Sequence, residues 1–211
     1  EKFNIHSTLV VTLERGQNDD EIGKIIDFAL EYRCLRGVTF QPTQVAGRTD
    51  NFDPLKNKFT LTETRQGILD QTDIFKENDI VPVPCNPDAL AMAYALKLDG
   101  KVVPLTSMID PDIFLNGTRN TILLEQEENL QKELIKVFST SQTGGALAKN
   151  LQTLLCCLPM ISAPNLSYEN IFRVIILKFM DAHDFDVRAV KKACVSIVSK
   201  DLKMIPFETM N

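Results

Sequence analysis

The sequence predicts an α/β fold, and three observations carry that expectation. Residues 5–13 (IHSTLVVTL) alternate apolar and polar side chains, residues 19–31 (DDEIGKIIDFALE) repeat apolar ones with helical spacing, and residues 36–41 (RGVTFQ) alternate again. Strand, helix and strand within roughly 36 residues form a βαβ unit whose strands are parallel neighbours. Second, 211 residues with 44% hydrophobic and 24% charged side chains is globular usage, long enough to bury an ordinary core in one large or two small domains. Third, residues 168–179 (YENIFRVIILKF) return late in the chain to the β-branched and aromatic content of a buried strand, although a helix has the same length.

The first strand puts Ile5, Leu9, Val11 and Leu13 on one face and Thr8 and Thr12 on the other. Gly16 ends it. Asn18 or Asp19 is placed to cap the following helix, whose opening acids suit the positive end of its dipole. Ile22, Ile25, Ile26, Ala29 and Leu30 are its buried stripe. In the second strand Val38 and Phe40 oppose Thr39 and Gln41. A parallel strand covered on both sides usually reads as a continuous apolar run, so these polar rows need a reason. In a barrel they would line the interior; in an open sheet they would face water. Alternation alone does not choose between the two.

Residues 42–58 form a long loop, of a length that is commonly functional. A capping-box pattern at Thr60 or Thr62 starts a short helix to Asp70. Pro82, Pro84 and Pro87 stiffen the chain around Cys85, residues 88–98 (DALAMAYALKL) read as an Ala-rich helix, and Lys101 to Leu105 as a short strand. Residues 120–138 read as an acidic amphipathic helix, 139–145 as a flexible connector and 146–158 as a further helix. Asp186 to Lys192 is a helical turn, and residues 194–199 pair with 203–207 as a hairpin around Lys200-Asp201.

Several function classes are excluded as expectations. A net charge of −5 without a Lys/Arg cluster argues against a nucleic-acid surface, and no apolar run reaches the roughly 18 residues of a membrane span. Five cysteines, Cys34, Cys85, Cys156, Cys157 and Cys194, with no signal peptide, suit a reducing cytoplasm better than a disulfide framework. Their spacing contains no Cys-x-x-Cys, and adjacent Cys156 and Cys157 on a helix point about 100° apart. Buried filler is the default for Cys34, Cys156 and Cys157. Cys85 sits between prolines, on backbone stiff enough to hold a ligand or contact residue. The Asp181-Ala182-His183-Asp184-Phe185-Asp186 stretch reads as a capped turn before it reads as a metal site. No nucleophile elbow, dinucleotide fingerprint or P-loop is present.

The segment Leu9-Val-Val-Thr-Leu-Glu-Arg-Gly-Gln-Asn-Asp-Asp-Glu-Ile-Gly23, a strand ending in Gly-x-Asn-Asp-x-Glu before a helix, resembles the fourth β/α unit of radical S-adenosylmethionine enzymes, in the branch that includes the molybdopterin-precursor synthase. Gly37-Val-Thr-Phe-Gln-Pro42 with Ala46-Gly47-Arg48 is similar to the next barrel strand. Val81-Pro-Val-Pro-Cys-Asn-Pro87, Val103-Pro-Leu-Thr106, Phe179-Met-Asp-Ala-His-Asp-Phe-Asp-Val-Arg188 and Ile205-Pro-Phe207 resemble a narrower group that contains archaeal tetraether-lipid synthases. The ordered set covers nearly the whole chain.

The resemblance implies the C-terminal part of a partial (β/α)6 barrel over residues 1–80, followed by a mixed α+β region over residues 81–211. It implies reductive cleavage of S-adenosylmethionine at a [4Fe–4S] cluster in the full-length protein, and a small-molecule or lipid-like substrate. Thr8, Thr12, Thr39, Gln41 and Arg48 would then contact the cofactor, and Cys85 and Cys194 would be candidate metal ligands. Two departures matter. The family's Cys-x-x-x-Cys-x-x-Cys does not occur in this sequence, and the places of two further cluster cysteines hold Asp88 or Ala89, and Glu208. The chain opens on Glu1-Lys2-Phe3 without Met and runs directly into a strand, which reads as a piece of something longer that is inactive alone. An unpaired sheet edge would then be available for self-association. The alternative is a non-catalytic α/β module with buried, inert cysteines.

Overall fold

The computed structural model describes residue 3, residues 5–45, 47, 50, 52–83, 86–98, 101–106, 145–146, 149, 151–152, 167–193 and 195–209. The helices expected at 120–138 and 146–158, with Cys156 and Cys157, lie wholly or mostly outside these residues. The described part is α/β, built on one mixed sheet.

Strands β1 (Ser7–Leu13), β2 (Leu35–Pro42), β3 (Val81–Pro82), β4 (Leu90–Leu98), β5 (Lys101–Pro104) and β6 (Ile171–Leu177) form this sheet in the order β1-β2-β6-β4-β3, with β5 also paired to β4. β1, β2 and β6 are mutually parallel; β4 runs antiparallel to β6, β3 and β5. The expected βαβ unit is present, with Val10 opposite Thr39 and Thr12 opposite Gln41. Strands from before and after residue 80 therefore share one sheet.

Helices α1 (Ile22–Glu31) and α3 (Leu61–Gln71) cover one face of it, with a short turn of helix, α2 (Pro54–Asn57), between them in sequence. Ile22, Ile26 and Ala29 of α1 and Ile68 of α3 meet Leu13, Val38, Phe40, Phe172, Val174 and Ile176 in one buried cluster. Gln71 bolts the two helices together: its Oε1 accepts from the Gly23 amide at 3.1 Å and its Nε2 donates to the Asp19 carbonyl at 2.7 Å. Lys97 closes the end of α1, donating to the carbonyls of Ala29, Tyr32 and Leu35 at 3.0–3.1 Å. Burial there pulls its ammonium down to about 8.

The cap of α1 differs from expectation. Glu21 stands at the N-cap without a side-chain bond, and the first turn holds no acid. Asn18 and Asp19 instead fold the preceding turn: Asn18 accepts from the Glu14 amide and Asp19 from the Gly16 amide, both at 2.9 Å, with Gly16 at φ +74°. The box on α3 is present at Thr60, whose hydroxyl accepts from the Glu63 amide at 3.1 Å while Glu63 Oε2 accepts from the Thr60 amide at 2.9 Å. Thr60→Ala should cost about 1 kcal/mol, lowering the thermal midpoint by about 2–4 °C in a calorimetric scan.

The largest correction concerns residues 88–98. They are not a helix: Leu90–Leu98 is strand β4, lying between β6 and the β3 and β5 partners. The sequence permits both, because alanine favours helix while the alternation of Ala91, Ala93 and Ala95 with Leu90, Met92, Tyr94 and Leu96 is also strand-like. Tertiary context decides. The alanines enter the helix-side core, where small side chains fit, and the larger set is buried on the opposite face. The later elements follow the sequence: β6 is a buried strand, α4 (Val187–Val190) is the expected turn, and β7 (Ser196–Val198) pairs antiparallel with β8 (Met204–Pro206) as a separate hairpin.

Candidate functional site

Two features come together where the parallel strands end. The first is the sheet face turned away from α1 and α3. Leu9, Val11 and Leu13, like Val38 and Phe40, point into the helix-side core, so Thr8, Thr12, Thr39 and Gln41 lie on the other side. Thr8 and Thr12 are exposed on β1, Gln41 is half-buried, and Thr39 is 8% exposed. Among the described strands β1 is the outermost, and its polar row is open while that of β2 is partly closed by its neighbours. Four of the five residues expected to contact a cofactor thus share one face; Arg48, Cys85 and Cys194 lie outside the described residues.

The second feature is a charged rim at the carboxyl ends of β1, β2 and β6. In parallel sheets that end is where ligands bind, because loops with free side chains converge there. The Thr43 amide and hydroxyl both donate to the Leu13 carbonyl, at 2.9 and 2.8 Å, tying the loop after β2 to the end of β1. Gln44 Nε2 donates to the Met180 carbonyl at 2.5 Å, tying it to the turn after β6. Asp181 completes the tie. Its side chain is fully inaccessible and accepts from the Val45 amide at 3.0 Å, the His183 amide at 2.9 Å and Lys58 Nζ at 2.9 Å. Lys58 also reaches Asp184 at 2.7 Å, and Lys178 pairs with the same carboxylate.

Burial pushes the Asp181 carboxyl up, but Lys58 and the two amides outweigh it, and the group titrates below the ordinary carboxylate range. Burial also raises Asp184, and Lys178, Lys58 and the Asp181 amide overcome that to bring it down. At neutral pH the rim is therefore two carboxylates against two ammoniums, which balances charge and rigidifies the loops. The Asp181–Asp186 stretch is the capped turn its sequence suggested: Asp184 Oδ1 accepts from the Asp181 amide and Asp186 Oδ1 from the Arg188 amide, at 2.9 and 2.8 Å. Lys58 and Lys178 have no sequence signal of their own. The only clue is position, since each follows the end of a strand or loop and neither belongs to an apolar stripe.

Among the described residues no group of three or more Cys, His, Asp or Glu side chains is arranged to hold a metal ion, and no helix is long and apolar enough to cross a membrane. Cys34, expected as buried filler, is only half-buried, packed against the edge of the core.

No protein-family model matches the sequence. The chain is similar to a pterin-modifying enzyme. That relative is the 7,8-dihydro-6-hydroxymethylpterin dimethyltransferase of Methanocaldococcus jannaschii, 28% identical over 239 aligned positions that cover 96% of this chain and 47% of the relative. The chain thus spans about half the length of the pterin dimethyltransferase.

Proposed function

We propose that this chain forms part of a radical S-adenosylmethionine enzyme acting on a small molecule. Residues 1–80 would be the second half of its partial barrel and residues 81–211 the α+β region appended to it. On this reading the division at residue 80 is one of origin, since β4 and β6 complete the sheet begun by β1 and β2.

The observation that carries the reading is the shared polar face. Thr8, Thr12, Thr39 and Gln41 stand on two adjacent parallel strands, on the side turned away from α1 and α3. Hydroxyls and a carboxamide are neutral donors and acceptors that suit ribose hydroxyls and the edge of a purine, and the half-buried Gln41 can do both at once. The order of motifs along the chain supports the same family. So does the similarity to a pterin dimethyltransferase, which by its name transfers one-carbon groups to a small heterocycle.

In the whole protein, S-adenosylmethionine bound beside a [4Fe–4S] cluster would supply radical chemistry able to remove hydrogen from an unreactive carbon. The part assigned to this chain is positional. Thr39 and Gln41 would hold the nucleoside against the sheet, Arg48 would approach a charged group from the loop after β2, and the rim around Asp181 would fix the loops that shut out water. The described side chains do not form a cluster site, so the iron–sulfur ligands are assigned to residues outside them. The substrate is a small molecule or lipid-like compound, with a heterocycle favoured by the relative. Localisation in the reducing cytoplasm fits the thiol content. The outer side of β1, which no described strand pairs, is where another barrel strand or a second copy would pair.

The test is direct. The whole protein, reconstituted with iron and sulfide, reduced with dithionite and given S-adenosylmethionine, should release 5′-deoxyadenosine, and these 211 residues alone should release none. A cluster-loaded whole protein that yields no 5′-deoxyadenosine, or a four-iron cluster and that product from this chain alone, would contradict the proposal.

A further inference from the structure

The hairpin late in the chain presents an apolar tip to solvent. Among the described strands β7 and β8 pair only with each other. Their base is closed by the Phe207 amide, which donates to the Val195 carbonyl at 3.0 Å, and the Phe207 ring lies 4.8 Å from that of Phe179, two residues past β6. The tip is Ser199-Lys200-Asp201-Leu202-Lys203. Just below it, Val198 and Met204 are a cross-strand pair on one face, 64% and 75% exposed, and Leu202 at the tip is 86% exposed.

Leu202 stands where a leucine is least at home. Its φ of +58° is left-handed, and among the described residues it is the only one other than glycine in that region. A three-residue hairpin loop that ends on a left-handed position ordinarily places glycine there, or asparagine. The turn is nonetheless well made. The Leu202 amide donates to the Ser199 carbonyl at 3.0 Å, the Ser199 amide to the Lys203 carbonyl at 2.9 Å, and the Lys203 amide to Ser199 Oγ at 3.2 Å. Backbone conformation and hydration both count against a leucine here, and strain of that kind collects where a function needs the side chain.

Charge selects the partner. The chain carries −5 overall, yet Lys200 and Lys203 flank Leu202, and Asp201 is the single exposed acid among the described residues from 187 onward. A hairpin tip encloses no cavity, so it does not suit a small ligand. A second copy would set the same patch against itself, lysine against lysine. An anionic bilayer surface offers acceptors to the ammonium groups and a hydrocarbon boundary to the apolar side chains, without demanding a complementary shape. We propose that the β7–β8 tip docks on an anionic lipid surface, with Leu202 inserted, Val198 and Met204 at the boundary, and Lys200 and Lys203 at the headgroups. This goes beyond the radical reading and does not rest on it.

Co-sedimentation of the whole protein with sucrose-loaded vesicles tests this. Wild type should bind vesicles of phosphatidylcholine containing one-third phosphatidylglycerol at least about tenfold more tightly than vesicles of phosphatidylcholine alone. Leu202→Asp should weaken that binding at least about tenfold, and Lys200→Gln with Lys203→Gln by a similar factor. Leu202→Gly guards against misfolding, because glycine suits the left-handed position. It should melt no lower than wild type and still bind the anionic vesicles several-fold more weakly. The proposal is overturned if wild type does not bind the anionic vesicles, binds both lipids equally, or binds them no better than folded Leu202→Asp and Leu202→Gly. It is also overturned if sedimentation equilibrium shows an oligomer that Leu202→Asp dissociates while vesicles are ignored, since the tip would then be an interface between copies.

Discussion

Gly37→Ala is expected to destabilise the protein by about 3 kcal/mol or more, a large effect for one methyl group. A Cβ at this position would lie 2.2 Å from the Arg173 carbonyl oxygen, with the carbonyl carbon and amide nitrogen of the same residue at 3.1 and 3.3 Å. All three atoms are backbone, so no rotamer change relieves the clash. Relief requires β2 and β6 to separate, and that pair is what joins the early βαβ unit to the rest of the sheet. Gly145 is the control, because a Cβ there meets nothing within 4 Å. Urea melts should show Gly145→Ala close to wild type and Gly37→Ala shifted far to lower denaturant. Equal midpoints for Gly37→Ala and wild type would mean that the strands do not approach in this way.

Asp181→Asn is the second large effect, expected to cost about 3 kcal/mol. The carboxylate is fully inaccessible and serves Lys58 and two amides, so losing its charge leaves Lys58 to Asp184 alone and turns one acceptor into a donor. The pH dependence follows from the lowered titration of Asp181 and Asp184. A carboxyl whose folded value lies below its ordinary 3.8 stabilises fully above that value, and the contribution is lost as pH falls through the folded one. Wild-type stability should therefore drop as the pH is taken downward from 3.8, and Asp181→Asn should flatten that limb. A variant with the same acid limb as wild type would place the acid-sensitive charge elsewhere.

What could be read in the sequence was local. β1, α1 and β2 follow from period, and the box at Thr60 from residue type and spacing, because the partners lie within a few residues of one another. The hairpin around Lys200-Asp201 is local in the same sense. β4 defeated the pattern, since an Ala-rich segment satisfies helix propensity and a period of two at once, and only the neighbours β6, β3 and β5 choose between them. The rim was hidden for a related reason. Lys58 and Asp181 meet across 123 residues, and nothing near either announces the other.

Thr39 tests the central claim most directly. It sits at the middle of β2 on the face assigned to the nucleoside, and a phenyl ring there would fill that space while leaving the helix-side core untouched. In the whole protein, reconstituted and reduced, Thr39→Phe should keep the iron–sulfur absorption and a wild-type circular dichroism spectrum, yet form 5′-deoxyadenosine at least about tenfold more slowly. A folded, cluster-bearing Thr39→Phe that cleaves S-adenosylmethionine at the wild-type rate would show that the cofactor lies elsewhere.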